Sequence, residues 1–141
     1  MPPRDAVTRR AIVDAHRETL AATVDAARTV AAAWPGETVR DPSAVAAPLE
    51  GELRERGLVE DLLATLDTAA AAIDESIRGA PVPAPPYLSV TSRGPVCRAT
   101  LSGGDRLVVE PVMFAVDRRP ARYRFADPDV EECLRVRLRP A

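Results

Sequence analysis

The sequence predicts an α+β domain in which about three N-terminal helices pack on one face of a five-stranded antiparallel meander. Three observations point there. Up to Gly79 the apolar residues recur at steps of three and four, "APVPAPP" at 80–86 then interrupts the chain, and beyond it apolar and polar residues alternate. Helical periodicity followed by strand periodicity is the order of a fold whose helices gather on one side of a sheet. With 141 residues and 46% of them apolar, the chain can fill one ordinary core. Residues 1–141 are therefore expected to form a single domain, with a helical part at 5–79, a proline-rich connector at 80–86 and a strand part at 87–139.

The first helix is expected over 5–34, since alanine and straight-chain residues dominate and neither Gly nor Pro interrupts. Val13, His16, Leu20, Val24, Ala27, Ala31 and Trp34 form a narrow apolar stripe, and Pro35 and Gly36 stop it. Asp41 before Pro42 marks a second start, with the carboxylate placed to cap and the proline in the first helical position. Val45, Leu49 and Leu53 share its inner face, and Pro48 is expected to kink or split it. A third helix over 58–78 carries Leu62, Leu63, Leu66, Ala69, Ala70, Ile73 and Ile77, and Gly79 ends it.

The connector favours extended polyproline II, which suits a stiff spacer. Strands are then expected at 87–91, 96–101, 106–116, 121–125 and 132–139, with "SGGD" at 102–105 and "DRRPA" at 117–121 as hairpin turns. Pro111 lacks the N–H a ladder needs, so a bulge or an edge is expected there. "DPD" at 127–129 resembles a cap, so the last strand can begin as a short helical turn.

Composition excludes several chemistries. All 19 basic residues are Arg, because the chain has no Lys, and it also lacks Asn and Gln. There is consequently no lysine for a Schiff base or a phosphate loop, and no amide for the usual bidentate reading of adenine. His16 is the sole histidine and Cys97 and Cys133 the sole cysteines, with no metal-binding spacing among them. No metal and no cofactor is expected. The opening "MPPRDAVTRR" lacks the apolar stretch of an export signal, and no run reaches the ~20 apolar residues of a membrane span. A cytoplasmic protein with free thiols is expected, away from membranes.

Charge is uneven along the chain. Residues 1–80 carry 9 Arg and 14 acids, a net −5, whereas residues 81–141 carry 10 Arg and 7 acids, a net +3. In "CLRVRLR" at 133–139 strict alternation places Leu134, Val136 and Leu138 on one side of a strand and Arg135, Arg137 and Arg139 on the other. "RYRF" at 122–125 repeats the pattern, with Arg122 and Arg124 opposite Tyr123 and Phe125. If these strands pair, five guanidinium groups share a face, and each like-charged neighbour costs a few tenths to ~1 kcal/mol unless acids or solvent intervene. Such a face can be merely solvated, with Glu110, Asp117, Glu131 and Glu132 as compensation. It can also meet the acidic helices of a second copy, or hold an anion. Nucleic acid is disfavoured, because sheet-based binders stack bases on exposed aromatics, and here Tyr123 and Phe125 turn inward whenever the arginines turn outward.

The remaining residues with chemical potential have ordinary roles at hand. His16 on an apolar stripe reads as a core histidine, and a Cys–His site would need Cys97 or Cys133 from a distant strand. The charges of "ELRER" and "DESIR" suit helix surfaces with local ion pairs.

The Lys-free texture of "RGLVEDLLATLDTAAAAIDESIRG" and "PPYLSVTSRGPVCRATLSGGDRLVV" resembles conserved hypothetical proteins of haloarchaea. That resemblance implies no activity, since such families have none assigned. The sequence does not reveal a function. It favours a small non-catalytic binding or assembly protein, self-associating as a homodimer, over an anion or nucleic-acid binder and over a small Cys–His enzyme.

Overall fold

A computed structural model describes residues 2–141. In chain order the elements are α1 (Arg4–Ala32), β1 (Thr38–Val39), α2 (Ser43–Glu55), α3 (Leu58–Ala72), β2 (Leu88–Val90), β3 (Pro95–Thr100), β4 (Arg106–Pro111), β5 (Phe114–Asp117), β6 (Arg122–Phe125), α4 (Val130–Cys133) and β7 (Leu134–Arg139). The α+β class is as the periodicities predict. The single five-stranded meander is not, because the strands divide into a four-stranded sheet in the order β2-β3-β4-β7 and a three-stranded sheet in the order β1-β6-β5.

The division falls at Pro111. The expected strand over 106–116 is two strands, and the chain passes from one sheet to the other at Val112 and Met113. The loop before β3 holds this crossing: the Arg93 carbonyl accepts from the N–H groups of Met113 at 2.9 Å and Phe114 at 3.2 Å. Gly94 lies so close that a Cβ there would sit 2.0 Å from the Pro111 carbonyl oxygen. Only glycine fits that approach. The hairpin β5-β6 then forms around the turn expected at 117–121, and β7 returns to pair with β4.

Helix α1 is the common support. It packs against α2 and α3 and also against β6, α4 and β7, so its buried surface is wider than the narrow stripe expected: Ile12, Ala26 and Val30 join Val13, Leu20, Val24 and Ala27. Its buried Thr8 and Thr23 hydroxyls donate to carbonyls one turn back, as Thr65 does on α3, which leaves no orphaned donor. The helix departs from helical geometry at His16, whose Nε2 lies 2.7 Å from the Thr68 hydroxyl of α3.

Two helix expectations are corrected. Pro48 neither kinks nor splits α2, which is continuous from Ser43 to Glu55. A proline at 48 deprives the Ala44 carbonyl of its usual donor, and the Trp34 indole N–H donates to that carbonyl instead at 3.2 Å. Helix α3 ends at Ala72 rather than near 78. Asp74 takes a left-handed φ of 56°, and the N–H groups of Glu75 and Asp74 donate to the carbonyls of Ala70 and Ala71. This is a Schellman ending with aspartate in the place glycine usually holds. The freed segment runs beside β3, with Ile77 bridging Leu101.

Asp129 caps α4 as expected, whereas α2 starts at Ser43 and Pro42, expected as its first residue, flanks it instead. Asp41 accepts from the Ser43 N–H at 2.9 Å, which holds its carboxyl below the usual range. Asp129 accepts from the Glu132 N–H at 2.7 Å, and Glu132 accepts in return from the Asp129 N–H. Arg10 and Arg17 of α1 converge on the Glu131 carboxylate, and Arg9 donates to the carbonyls of Glu131 and Leu134. These contacts fix the point from which β7 starts. No helix among the described residues is long and apolar enough to cross a membrane.

Candidate functional site

Alternation along the four-stranded sheet builds two unlike faces. Cys97, Ala99, Leu107, Val109 and Leu134 are buried beneath the helices, and Val136 and Leu138 pack against the same core. The opposite positions carry Arg98 on β3, Arg106, Val108 and Glu110 on β4, and Arg135, Arg137 and Arg139 on β7. Register places Arg106 directly opposite Arg139, Val108 opposite both Arg98 and Arg137, and Glu110 opposite Arg135.

The expected grouping of five arginines is therefore changed. Arg135, Arg137 and Arg139 turn outward as the alternation predicts, and so do Arg122 and Arg124, but β6 pairs with β5 and β1 and never with β7. Arg122 and Arg124 belong to the other sheet. In their place the four-stranded sheet brings Arg98 and Arg106, again five guanidinium groups, with Glu110 as the one carboxylate among the outward residues of its strands. Their signal was present in "VCRAT" and "DRLVVEP", where each arginine alternates with apolar neighbours. What sequence lacked was the pairing that assembles them.

The charges are unequally answered. Arg137 lies 3.4 Å from Glu110, and Arg124 lies 3.3 Å from Asp117. Among the described residues Arg98, Arg106, Arg135 and Arg139 have no acidic partner within 4.0 Å. Three of these line a hollow of about 700 Å³, together with Arg78, Gly79 and Tyr87 from the segment after α3 and the start of β2. Among the described residues no carboxylate lines it. A smaller hollow of about 340 Å³ continues across the same face toward Glu110, Arg137 and Arg93, sharing Arg98 and Arg139 with the first.

A guanidinium is a planar fork that stays charged at every physiological pH, and it binds carboxylate or phosphate oxygens two at a time. Several such groups with few acids nearby suit an anion and repel a metal ion. Among the described residues no three His, Cys, Asp or Glu side chains are placed to hold one.

The cysteines and the histidine do not form a nucleophilic site. Burial pushes the Cys97 thiol up to about 12 and the Cys133 thiol up to about 11, so both are protonated at neutral pH. Cys97 donates to the Leu62 carbonyl and Cys133 to the Val130 carbonyl, while His16 is engaged with Thr68. His16 is only partly buried, less than the stripe position implied.

No curated protein and no solved structure matches this chain. One protein family does match, over residues 6–139, from within the first turn of α1 to the end of β7. The chain belongs to that family, a domain of unknown function designated DUF7988.

Proposed function

We propose that this protein is a non-catalytic binding module that holds an anionic ligand on the outer face of its four-stranded sheet. The observation that carries the reading is the unanswered charge: five arginines on three adjacent strands with Glu110 alone among them. Like charges directly opposite in a sheet destabilise it, and Arg106 opposite Arg139 is such a pair. A bound anion converts that repulsion into charge-assisted hydrogen bonds. The buried thiols suit a reducing compartment, and we read the protein as cytoplasmic and, from its texture, haloarchaeal in type.

Self-association through this face has a physical obstacle. A two-fold dimer presents the same patch on both partners, so arginines would meet arginines. Docking on the exposed acids of α3, Glu60, Asp61 and Asp67, would be a head-to-tail contact, which extends unless its rotation closes.

The test is binding of sulfate, tripolyphosphate and a polyuridylate strand at fixed ionic strength, with light scattering alongside. The reading expects at least one anion to bind and binding to vanish in the double variant Arg98→Glu, Arg137→Glu. It fails if no anion binds, if charge reversal leaves binding unchanged, or if that reversal instead abolishes a concentration-dependent dimer.

A further inference from the structure

We infer that the hollow at the Arg106–Arg139 end of this face is a seat for a compact oligophosphate, a proposal that rests on the anion-binding reading and names its ligand class. Four arginines line this hollow, Arg78, Arg98, Arg106 and Arg139. Arg106 and Arg139 are directly opposite on neighbouring strands, so their Cβ atoms start roughly 5 Å apart. Arg98 lies two residues from Thr100, the residue opposite Arg106, which puts it diagonally across from Arg106. The fourth group comes from outside the sheet yet is held to it: the Arg78 N–H donates to the Thr100 carbonyl at 2.8 Å and its guanidinium to the Ser102 carbonyl at 3.2 Å. The four groups thus stand on hydrogen-bonded backbone.

Charge balance selects the ligand. A single sulfate or phosphate carries at most two charges near neutrality and would leave half of this cluster unanswered. A triphosphate group brings about four and offers enough oxygens for several forked guanidinium contacts. A volume of about 700 Å³ exceeds what the phosphates alone need, and the largest uncharged side chain in the rest of the lining is Tyr87. Its backbone is pinned, because its carbonyl accepts from the Arg98 N–H at 2.9 Å. Its hydroxyl rests against Gly79, where a Cβ would come within 3.1 Å and φ is +75°, so a side chain at 79 would be strained and would push on that wall. A tail-bearing phosphate and a free one share this chemistry, and they differ in whether Tyr87 is used. An extended single strand is the poorer occupant, since Tyr87 is the one aromatic side chain at the hollow while Tyr123 and Phe125 belong to the other sheet and strand binders stack several bases.

The deciding experiment is calorimetric titration of the full chain with tripolyphosphate, ATP and sulfate at equal ionic strength. Tripolyphosphate is expected to bind one per chain and at least tenfold more tightly than sulfate, a comparison on the unaltered protein that no folding defect can confuse. Arg106→Gln and Arg139→Gln should each weaken it about tenfold, the order of one forked contact. Arg135→Gln, on the same face but outside the hollow, should change it less than twofold. ATP binding more tightly than tripolyphosphate, with the gain lost in Tyr87→Ala, assigns a nucleotide tail, and equal affinities assign free oligophosphate. If tripolyphosphate binds no better than sulfate, or Arg135→Gln weakens it as much as Arg106→Gln, the seat is refuted while the anionic face survives. If no anion binds at all, both fall.

Discussion

Strands β6 and β7 carry nearly the same pattern, "RYRF" and "LRVRLR", and meet different fates. On β6, Arg124 is answered by Asp117, and Arg28 of α1 lies over the Phe125 ring, 5.6 Å from its centroid, while pairing with Asp127. On β7, Arg135 and Arg139 face water without an acidic partner, and Arg106 opposite Arg139 adds charge where the neighbouring sheet adds compensation. The pattern alone fixes which way a side chain points. The pairing of strands decides what it points beside, and that second property separates a solvated surface from a candidate site.

The comparison depends on the two sheets being held apart at the Pro111 crossing and tied separately to the core. Phe114, fully buried, is the tie for the three-stranded sheet, with ring centroids 5.7 Å from Trp34 and 6.0 Å from Phe125. Phe114→Ala should therefore have the largest effect on stability, about 3–5 kcal/mol by denaturant unfolding. A cost under about 1 kcal/mol would show that the three-stranded sheet is not anchored this way.

Gly94→Ala follows, since its Cβ has no room beside the Pro111 carbonyl. A loss of about 1–3 kcal/mol is expected, together with a shift of the amide signals of Met113 and Phe114, whose N–H groups bond the adjacent Arg93. An unchanged thermal midpoint would mean that the crossing is looser than described.

Smaller effects contrast the sheets directly. Removing one member of the repulsive pair, by Arg139→Ala, should stabilise the free protein by a few tenths to ~1 kcal/mol at low salt, and added salt should erase the gain. Arg124→Ala should instead be neutral or slightly destabilising, by up to about 0.5 kcal/mol, because its ion pair is exposed. Equal signs for the two substitutions would dissolve the distinction between the sheets.

The smallest effect concerns pH, and it lies in the helical layer. Desolvation holds His16 below its ordinary value of 6.5, with Asp61 opposing in part. The unfolded chain then binds more protons than the folded one in the window beneath 6.5, so stability is full above it and declines as the pH drops through it. Glu131 is lowered from 4.5, first by its hydrogen bond with Arg17. Its contribution is present above 4.5 and is lost on further acidification. Thermal midpoints between pH 8 and 3 should fall in two shallow steps, His16→Gln removing the upper and Glu131→Gln reducing the lower, to which Asp41 also contributes.

Much of this fold is legible in the sequence because it rests on local signals. The long α1, the starts of α2 and α3, both hairpin turns and the capped turn after "DPD" each follow from periodicity or from a single cap residue. The missing parts depend on distance along the chain. Strand β1 is two residues long, too short to show a period, and its existence depends on pairing with β6 some 85 residues later. Pro48 is tolerated because of Trp34, and the early end of α3 uses an aspartate in a conformation that composition does not announce. The site divides in the same way. Arg135, Arg137 and Arg139 were visible as one alternating run, Arg98 and Arg106 carried the same alternation without a stated neighbour, and Arg78 was concealed inside a helix that ends six residues before it.

The most direct measurement follows the arginine side chains themselves, by recording the Nε–H signals of the guanidinium groups during titration with tripolyphosphate. The account predicts saturable shifts at Arg78, Arg98, Arg106 and Arg139 with Arg122 and Arg124 unmoved. Equal, unsaturated shifts on both sheets would contradict it.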